Sequence, residues 1–250
     1  MEILAFIPAR YGSTRFPGKP LTPILGKPMI EHVYKCAIEC GDLTDVLVLT
    51  DDQRIIDCVN SFGGKAVMTS PDHASGTDRI AEAAETLGLN DDDLIINIQG
   101  DQPRFDPSTI SRMIRPLKED KNIPMSTLKF RLRDRNEIEN PHIVKVVTDR
   151  DDFALFFSRY PIPFVRDDDT TDVAHYKHHG FYAYRKRFLI EFSRLPQGEL
   201  EKAEKLEQLR AIEHGFKIKV PETFSDSIEV DIPEDVPKIE AILSGSGRID

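Results

Sequence analysis

The residues whose types and spacing best suit chemistry form a basic loop near the amino terminus, residues 8–20, with the sequence PARYGSTRFPGKP. This loop places Arg10, Arg15 and Lys19 within ten residues of one another, in a chain whose formal net charge is −10. Arg offers a planar fork to phosphate oxygens, and Lys offers a mobile point charge that can follow a leaving group. Cations concentrated in an acidic chain predict binding of a concentrated anion such as a triphosphate. The alternative is a solvated basic loop without a ligand.

The loop lacks the two common nucleotide-binding signatures. A Walker A motif is absent, because Gly18-Lys19-Pro20 places proline where that motif needs Ser or Thr. The chain also lacks the Gly-x-Gly-x-x-Gly pattern of dinucleotide-binding folds. Kinase, P-loop NTPase and classical dehydrogenase activities therefore lose their main support.

Two aspartates are candidate metal ligands. Asp101 follows the strand predicted at 94–98, and Asp231 follows a much later one predicted at 227–230. Carboxylates brought together from such distant positions suit Mg²⁺, which prefers carboxylate, water and phosphate oxygens. Alternatively, each aspartate merely caps a helix, and Asp231 does lie just ahead of Pro233, a residue favoured in a first turn. The residues alone leave both interpretations open.

The elements around these residues alternate between strand and helix, which predicts a parallel sheet covered by helices. Strands are predicted at 3–7, 46–50, 66–68 and 94–98, and helices at 29–40, 52–62 and 77–87. Ligands of open α/β sheets bind at the carboxyl ends of strands, where both the basic loop and Asp101 fall.

The pattern changes after Pro103. Longer strands are predicted at 125–132, 144–148, 153–158 and 180–184, with one strong helix at 200–214 that Gly215 ends. This predicts an α/β core formed by residues 1–102 and 216–250, with an α+β subdomain inserted at 103–215.

The bulk composition narrows the function class. The chain has 250 residues, 40% apolar and 30% charged, with no run approaching the roughly 20 apolar residues of a membrane span. Excess acid argues against general nucleic-acid binding. The three cysteines form a sparse, odd set that predicts reduced thiols, and no signal-peptide pattern is evident, so we expect a cytoplasmic protein.

Blocks in the same order along nearly the whole chain carry a family resemblance. With the basic loop, they are Thr50-Asp51-Asp52, Gly63-Gly64, Met68-Thr69-Ser70, Ser75-Gly76-Thr77-Asp78-Arg79, Asn97-Ile98-Gln99-Gly100-Asp101, Val144-Lys145-Val146-Val147, Phe157-Ser158-Arg159, Glu207-Gln208-Leu209-Arg210 and Val230-Asp231-Ile232-Pro233-Glu234-Asp235. Together they resemble the CMP-Kdo synthetase family of sugar-nucleotide cytidylyltransferases, where Kdo is 3-deoxy-manno-octulosonate.

The resemblance implies a Rossmann-like, mostly parallel sheet of the nucleotide-diphospho-sugar transferase type. It implies attack by the anomeric C2 hydroxyl of the sugar on the α-phosphorus of CTP, giving a CMP-sugar and pyrophosphate for lipopolysaccharide biosynthesis. It also implies Mg²⁺ as cofactor, bound by Asp101 and Asp231. The core is expected to bind the nucleotide, and the inserted subdomain is expected to bind the sugar and to form a homodimer. No nucleic acid or membrane partner is expected.

Site roles follow from the resemblance position by position. The predicted catalytic residues are Lys19, Arg10, Asp101 and Asp231. The predicted nucleotide-binding residues are Pro8, Ala9, Arg10, Ser13, Arg15, Lys19, Ser75, Gly76, Thr77 and Arg79. The predicted sugar-binding residues are Gln99, Lys145, Arg159, His178, Tyr182, Glu207 and Gln208. For the base-reading segment the alternative is a helix start, with Ser75 or Thr77 as N-cap and Arg79 on a solvent face.

Some positions depart from the family pattern. Gln102 stands where Kdo enzymes commonly have Glu, His142 replaces a frequent Asn, and Glu229 replaces a Gly. These changes resemble the subgroup that activates 8-amino-3,8-dideoxy-manno-octulosonate (8-amino-Kdo). An added acid such as Glu229 would favour an ammonium at the far end of the sugar, although the sequence does not place it in the pocket.

Two rival functions remain at this level. One is a cytidylyltransferase for another acceptor, such as a sialic acid or a sugar or polyol phosphate. The other is a non-catalytic nucleotide-binding protein with the same fold; retention of Lys19, Asp101 and Asp231 weighs against it.

Overall fold

The structure is a computed structural model that describes residues 1–12, 16–73, 75–166 and 173–245. The chain forms two compact units, Met1–Ser111 with Ser227–Asp250, and Arg112–Asp226. The predicted boundaries, after residues 102 and 215, fall earlier in the chain than these. The functions expected of the two parts stay predictions.

The first unit alternates strands and helices, as the sequence pattern predicts. Its elements are β1 (Ile3–Pro8), β2 (Pro23–Ile24), β3 (Lys27–Pro28), α1 (Met29–Ile38), β4 (Asp45–Thr50), α2 (Gln53–Ser61), β5 (Ala66–Met68), α3 (Gly76–Thr86), β6 (Leu94–Asn97) and the start of α4 (Ser108–Glu119).

A parallel sheet forms the centre of this unit. Strand β1 pairs in parallel with β4 and β6, and β4 pairs in parallel with β5. Phe6 lies opposite Leu47 on one neighbouring strand and Asn97 on the other, and it is fully buried. Because all four strands run the same way, their carboxyl ends meet at one edge of the sheet.

Helix starts next to this edge are fixed by short polar side chains. The Asp52 carboxylate accepts a hydrogen bond from the Arg54 amide (2.9 Å) and begins α2. Ser75 caps α3 by accepting from the Asp78 amide, and the Asp78 carboxylate accepts from the Ser75 amide, each at 3.1 Å. This reciprocal pair is a capping box. The N-terminus of α3 is therefore held in a defined position after β5.

The second unit is richer in β-structure. Its elements are the rest of α4, β7 (Met125–Leu132), α5 (Arg135–Glu139), β8 (Lys145–Thr148), β9 (Ala154–Ser158), β10 (His175–Arg185), α6 (Lys186–Arg194), α7 (Glu199–Glu204), α8 (Gln208–Glu213), β11 (Ile218–Lys219) and β12 (Glu222–Thr223). Strand β7 pairs antiparallel with β10 and parallel with β11 and β12, and β8 pairs antiparallel with β9 and β10.

The predicted single helix at 200–214 is wrong, because the chain forms α7 and α8 with a break between them. Lys205 ends α7 in the left-handed region, with φ of 54°. The break accompanies an ion pair between buried side chains, in which Arg210 donates to both carboxylate oxygens of Glu201, at 2.6 and 2.7 Å. A bidentate pair of this kind can outweigh the helical propensity of the residues between its members.

From Ser227 onward the chain again belongs to the first unit. The strand predicted at 227–230 is wrong, because of these described residues only Ile228 pairs, in an isolated bridge with Arg104. A turn of 3₁₀ helix, Pro233–Asp235, then precedes α9 (Val236–Leu243). Ile239 of α9 belongs to a buried apolar cluster with Ile24, Met29 and Val230. None of the helices in the described ranges is long and apolar enough to cross a membrane.

Candidate active site

The basic loop leaves the carboxyl end of β1 and turns back on itself. The Ala9 amide donates to the Leu49 carbonyl (2.8 Å), which holds the start of the loop to the edge of β4. The Gly18 amide donates to the Tyr11 carbonyl (2.9 Å), which closes the loop. Gly18 has φ of 70°, a conformation that a side chain at this position would disfavour. Lys19 therefore lies close to the strand end although it is eleven residues beyond Pro8 in sequence.

The first part of the loop is further anchored by a cation–π contact. The Arg54 guanidinium lies 3.3 Å from the centre of the Tyr11 ring and also donates to both oxygens of Asp52. The hydrogen bond from the Arg54 side chain lowers the pKa of Asp52 below its usual value. Of the predicted phosphate-binding residues, Arg10 is exposed, whereas Ser13 and Arg15 lie outside the described residues.

Lys19 joins the two predicted metal ligands. Its Nζ donates to Asp101 Oδ2 at 2.8 Å and lies 3.4 Å from Asp231 Oδ1, and its side chain is 12% exposed. Because one ammonium touches both carboxylates, residues far apart in sequence meet at one point. The sequence predicted that Asp101 and Asp231 would meet but not that Lys19 would lie against both.

The structure also decides against the alternative role of Asp231 as a helix cap. Ile232 is the N-cap of the final helical segment, and the Asp235 carboxylate accepts hydrogen bonds from the backbone amides of Asp231 and Ile232 (3.1 and 3.2 Å). The Val230 amide donates to the Asp101 carbonyl (2.9 Å), so the two segments that carry the carboxylates lie side by side. Asp101 begins no helix, since the next one starts at Ser108.

A cavity of about 280 Å³ opens at this edge of the sheet. Its lining residues come from the basic loop, the start of α3 and the segment after β6: Pro8, Ala9, Arg10, Lys19, Pro20, His73, Ser75, Gly76, Arg79, Gln99, Gly100 and Asp101. Most of them were predicted to bind nucleotide, metal or sugar. Thr77 is buried and does not line the cavity.

Two glycines permit close approach of backbone in this cavity. A Cβ at Gly100 would lie 2.9 Å from the Pro8 carbonyl oxygen, and one at Gly76 would lie 3.4 Å from the Pro8 ring. The segment after β6 and the start of α3 can therefore both pack against the end of β1. Backbone amides at a helix start carry partial positive charge and suit an anionic ligand.

The geometry confirms one part of the alternative proposed for the segment at Ser75 and contradicts another. Ser75 is an N-cap, as the alternative predicted, but Arg79 is not on a solvent face, because it is only 4% exposed. Its guanidinium donates to Asp51 (3.0 Å) and to Thr69. Arg79 therefore ties α3 to the segments that follow β4 and β5, and its contact with a base stays a prediction.

His73 is a lining residue that the sequence interpretation missed. Its Nε2 lies 2.5 Å from Glu82 Oε2, and Glu82 also accepts from the Ser70 amide (3.0 Å). Burial alone would raise the pKa of Glu82, but the hydrogen bonds from His73 and from the Ser70 amide outweigh it and lower that pKa. No local motif marked His73, since only the fold brings it to the cavity.

Apart from Gln99, the predicted sugar-binding residues lie in the second unit. His178 contacts Thr127 Oγ1 (2.9 Å) and packs edge-to-face on Phe157, with Tyr182 on another side at 5.3 Å between ring centres. Burial lowers the pKa of His178 to about 3, so this imidazole is neutral at ordinary pH. Burial also raises the pKa of Tyr182 above its usual value. The pair can thus offer neutral hydrogen-bonding groups to a ligand.

Lys145 has a structural role that the sequence did not predict. Its Nζ is fully buried and donates to the carbonyls of Asn140 (2.8 Å), Ile143 (2.6 Å) and Arg159 (2.6 Å). These bonds use the three protons of the ammonium. Burial lowers the pKa of Lys145. In this conformation Lys145 has no proton to offer to a sugar, and it instead positions the backbone of Arg159.

Arg159, Gln208 and Glu207 differ in how many hydrogen bonds and ion pairs they already make within the protein. Arg159 Nε donates to the Glu204 carbonyl (2.8 Å), and its side chain lines a cavity of about 920 Å³. Gln208 is buried, and its Nε2 has no hydrogen-bond partner within the described ranges. Glu207 lies 3.5 Å from Arg210. Their contacts with a sugar stay predictions.

The sequence of this chain is similar to those of known cytidylyltransferases. The sequence model of the cytidylyltransferase family matches residues 4–219. A 3-deoxy-manno-octulosonate cytidylyltransferase of Syntrophus aciditrophicus is 52% identical over 247 residues, which cover 99% of each chain. An 8-amino-3,8-dideoxy-manno-octulosonate cytidylyltransferase of Shewanella frigidimarina is 56% identical over 245 residues, 98% of this chain and 99% of the other.

A solved structure extends the likeness to the fold. The structure of CMP:2-keto-3-deoxy-manno-octonic acid synthetase complexed with CTP superposes with a TM-score of 0.92 at 40% identity, covering 99% of this chain and all of the other. The predicted α/β fold with a mostly parallel central sheet is therefore confirmed.

Proposed function

Because this chain belongs to the cytidylyltransferase family, we propose that it transfers the CMP group of CTP to the C2 hydroxyl of a Kdo-type acid sugar. The observation that carries the proposal is the contact of Lys19 with both Asp101 and Asp231 beside the cavity. The arrangement offers a cation and a helix start to phosphate oxygens, and two carboxylates to a divalent cation that a triphosphate would carry.

In the proposed reaction, the sugar hydroxyl oxygen forms a bond to the α-phosphorus of CTP. The bond between that phosphorus and the bridging oxygen of the β-phosphate breaks, pyrophosphate leaves, and the hydroxyl proton passes to solvent or to a nearby carboxylate. Lys19 and Arg10 would neutralise charge on the phosphates, and the amides at the start of α3 would orient them. No covalent intermediate with the protein is required.

The donor set at Asp101 and Asp231 fits Mg²⁺. Both are carboxylates, and the ammonium that touches them in this structure occupies a position where positive charge is already favoured. No group of three or more His, Cys, Asp and Glu residues suited to a metal occurs in the described ranges. Water and phosphate oxygens would therefore complete the coordination of a bound Mg²⁺, as is usual for this ion. When bound, the ion would supply charge neutralisation at the reacting phosphate.

Within the Kdo class, 8-amino-Kdo is the preferred acceptor in this proposal. Support comes from Gln102, His142 and Glu229, which resemble the pattern of that subgroup. Relatives named for either sugar match at similar identity, so the choice rests on these residues. The product would serve lipopolysaccharide biosynthesis.

A cytoplasmic homodimer completes the proposal. The three cysteines are free, in keeping with a reducing compartment. In the second unit, Tyr160 and Phe164 are 71% and 79% exposed and line the cavity of about 920 Å³ beside Arg159. Exposed aromatic side chains at one place support a subunit interface. Light scattering after gel filtration would test the dimer, and a mass of one chain would contradict it.

Pyrophosphate release tests the reaction itself. The protein is mixed with CTP and Mg²⁺ and offered Kdo or 8-amino-Kdo, with nucleotide-free controls. We expect Asp101→Asn and Asp231→Asn each to lower the rate by about 10²- to 10³-fold, because each removes charge from the reacting centre. Asp57→Asn, on an exposed face of α2, is the matched control. Silence of the unaltered protein with both sugars would refute the proposal.

A further inference from the structure

Two residues that depart from the family pattern touch each other. Gln102 Nε2 donates to Glu229 Oε1 at 2.8 Å, across 127 residues of sequence. Each position alone looks like an isolated change. Their contact shows that the departures form one unit, in which a carboxylate is absent from position 102 and present at position 229.

The pair carries an energetic cost that packing does not explain. Gln102 is fully buried, and its Oε1 has no hydrogen-bond partner among the described residues. Leaving a buried amide oxygen unsatisfied costs about 1–3 kcal/mol. The amide cannot turn over to satisfy it, because two oxygens would then face each other at Glu229. A Glu at position 102 would likewise place two carboxylates together. Gln102 therefore acts as a donor that fixes the position of the Glu229 carboxylate.

Glu229 lies on the same short segment as Asp231, beside the segment that carries Asp101. Ile228 bridges to Arg104, and the Val230 amide donates to the Asp101 carbonyl, so residues 228–231 run beside the segment that follows β6. Val230 and Ile228 pack into the apolar cluster around Met29. Because side chains alternate along an extended chain, Glu229 and Asp231 share the opposite face.

We infer that the Glu229 carboxylate, held by Gln102, binds a cationic amino substituent at the end of the acceptor sugar that is remote from the reacting hydroxyl. The inference rests on the proposed function, since it needs the reacting hydroxyl to lie at Asp101 and Asp231. Gln102 is a positioning residue, and Glu229 is the contact that distinguishes an ammonium from a hydroxyl.

The spacing suits that role. Two residues along an extended chain are about 6.6 Å apart, a separation on the order of the length of one sugar. In 8-amino-Kdo the ring and a two-carbon arm separate the C2 hydroxyl from the amino group, which is a comparable distance. An ammonium offers a charge-assisted hydrogen bond to a carboxylate, whereas the C8 hydroxyl of Kdo offers only a neutral donor.

The test compares the two sugars as substrates of each variant. We expect Glu229→Gln to lower the ratio of kcat/KM for 8-amino-Kdo to kcat/KM for Kdo by roughly 10- to 100-fold, mostly through KM for the amino sugar. Gln102→Glu should lower the same ratio, because a second carboxylate displaces the first. Glu229→Asp should retain part of the preference.

His142→Asn is the matched control, because His142 is also a departure from the pattern but lies on an exposed surface of the second unit. It should leave the ratio within about twofold. An unchanged ratio in Glu229→Gln, with CTP still turned over, would overturn this inference while the proposed function stands. Failure of the unaltered protein with both sugars would overturn the proposed function, and the inference with it. Thermal unfolding of each variant checks that the fold is retained.

Discussion

Removal of the Lys19 ammonium should separate metal binding from catalysis. In the structure the ammonium touches Asp101 at 2.8 Å and Asp231 at 3.4 Å, and these carboxylates are 33% and 46% exposed. The Lys19→Met variant keeps the apolar length of the side chain but leaves two carboxylates close together without their cation. We therefore expect less activity and tighter binding of Mg²⁺ to the nucleotide-free protein.

The size of the effect follows from these contacts. Each ammonium–carboxylate contact at a partly exposed position contributes about 0.5–1 kcal/mol after screening by solvent. Two such contacts give about 1.4 kcal/mol, which corresponds to about a tenfold gain in Mg²⁺ affinity when they no longer compete with the ion. Loss of the cation from the phosphates should lower kcat/KM for CTP by about 10²- to 10³-fold.

The assay is thermal unfolding followed by circular dichroism across a Mg²⁺ titration without nucleotide, with pyrophosphate release measured in parallel. Lys35→Met is the matched control, because Lys35 is 48% exposed and pairs with Glu31 on α1. It should change neither the Mg²⁺ dependence nor the rate. The reasoning is refuted if Lys19→Met responds to Mg²⁺ as the unaltered protein does, or if it retains more than about a tenth of the activity.

Two further outcomes are expected elsewhere in the first unit. Gly100→Ala places a Cβ 2.9 Å from the Pro8 carbonyl oxygen and should lower kcat/KM at least about tenfold, because it displaces the end of β1. Gly41→Ala, with open space around the new Cβ, should not change kcat/KM. Equal rates for the two variants would contradict this prediction. For Asp93, burial alone would raise the pKa, but its hydrogen bonds from backbone and side-chain N–H groups outweigh that effect and lower it. A lowered folded-state pKa stabilises the protein above the unfolded value near 4, and the stabilisation is lost as the pH falls through the folded-state value. Asp93→Asn should therefore lower the free energy of unfolding by about 1–3 kcal/mol at pH 7, measured from urea unfolding curves. The difference from the unaltered protein should shrink below about pH 4. Asp57→Asn, on an exposed face, should show no such effect, and a pH-independent loss in Asp93→Asn would contradict the prediction.

Local pattern was enough to predict the parallel strands of the first unit. Apolar runs such as residues 3–7 are buried on both faces of a parallel sheet, so their composition identifies them without tertiary information. Ser75 is likewise readable as an N-cap, because the capping box is formed by residues three apart. The family resemblance added Asp101 and Asp231 as partners.

Pattern did not predict the contacts of two buried cations, Arg210 and Lys145. The helix predicted at 200–214 breaks at Lys205, next to a buried ion pair between Glu201 and Arg210. Lys145 lies in a block that resembles the sugar side of the family, yet its ammonium is used by backbone carbonyls. Propensity and motif position carry no information about such partners.

What the sequence by itself determined about this protein is its class: an acidic α/β chain with a basic loop at a strand end and the ordered motifs of a cytidylyltransferase. These features are local in sequence, or lie in the order of blocks along the chain. Tertiary structure alone decided that Lys19 meets both Asp101 and Asp231, and that Gln102 donates to Glu229. The physical reason is that charge pairing and hydrogen bonding act over about 3 Å in space, whatever the separation along the chain.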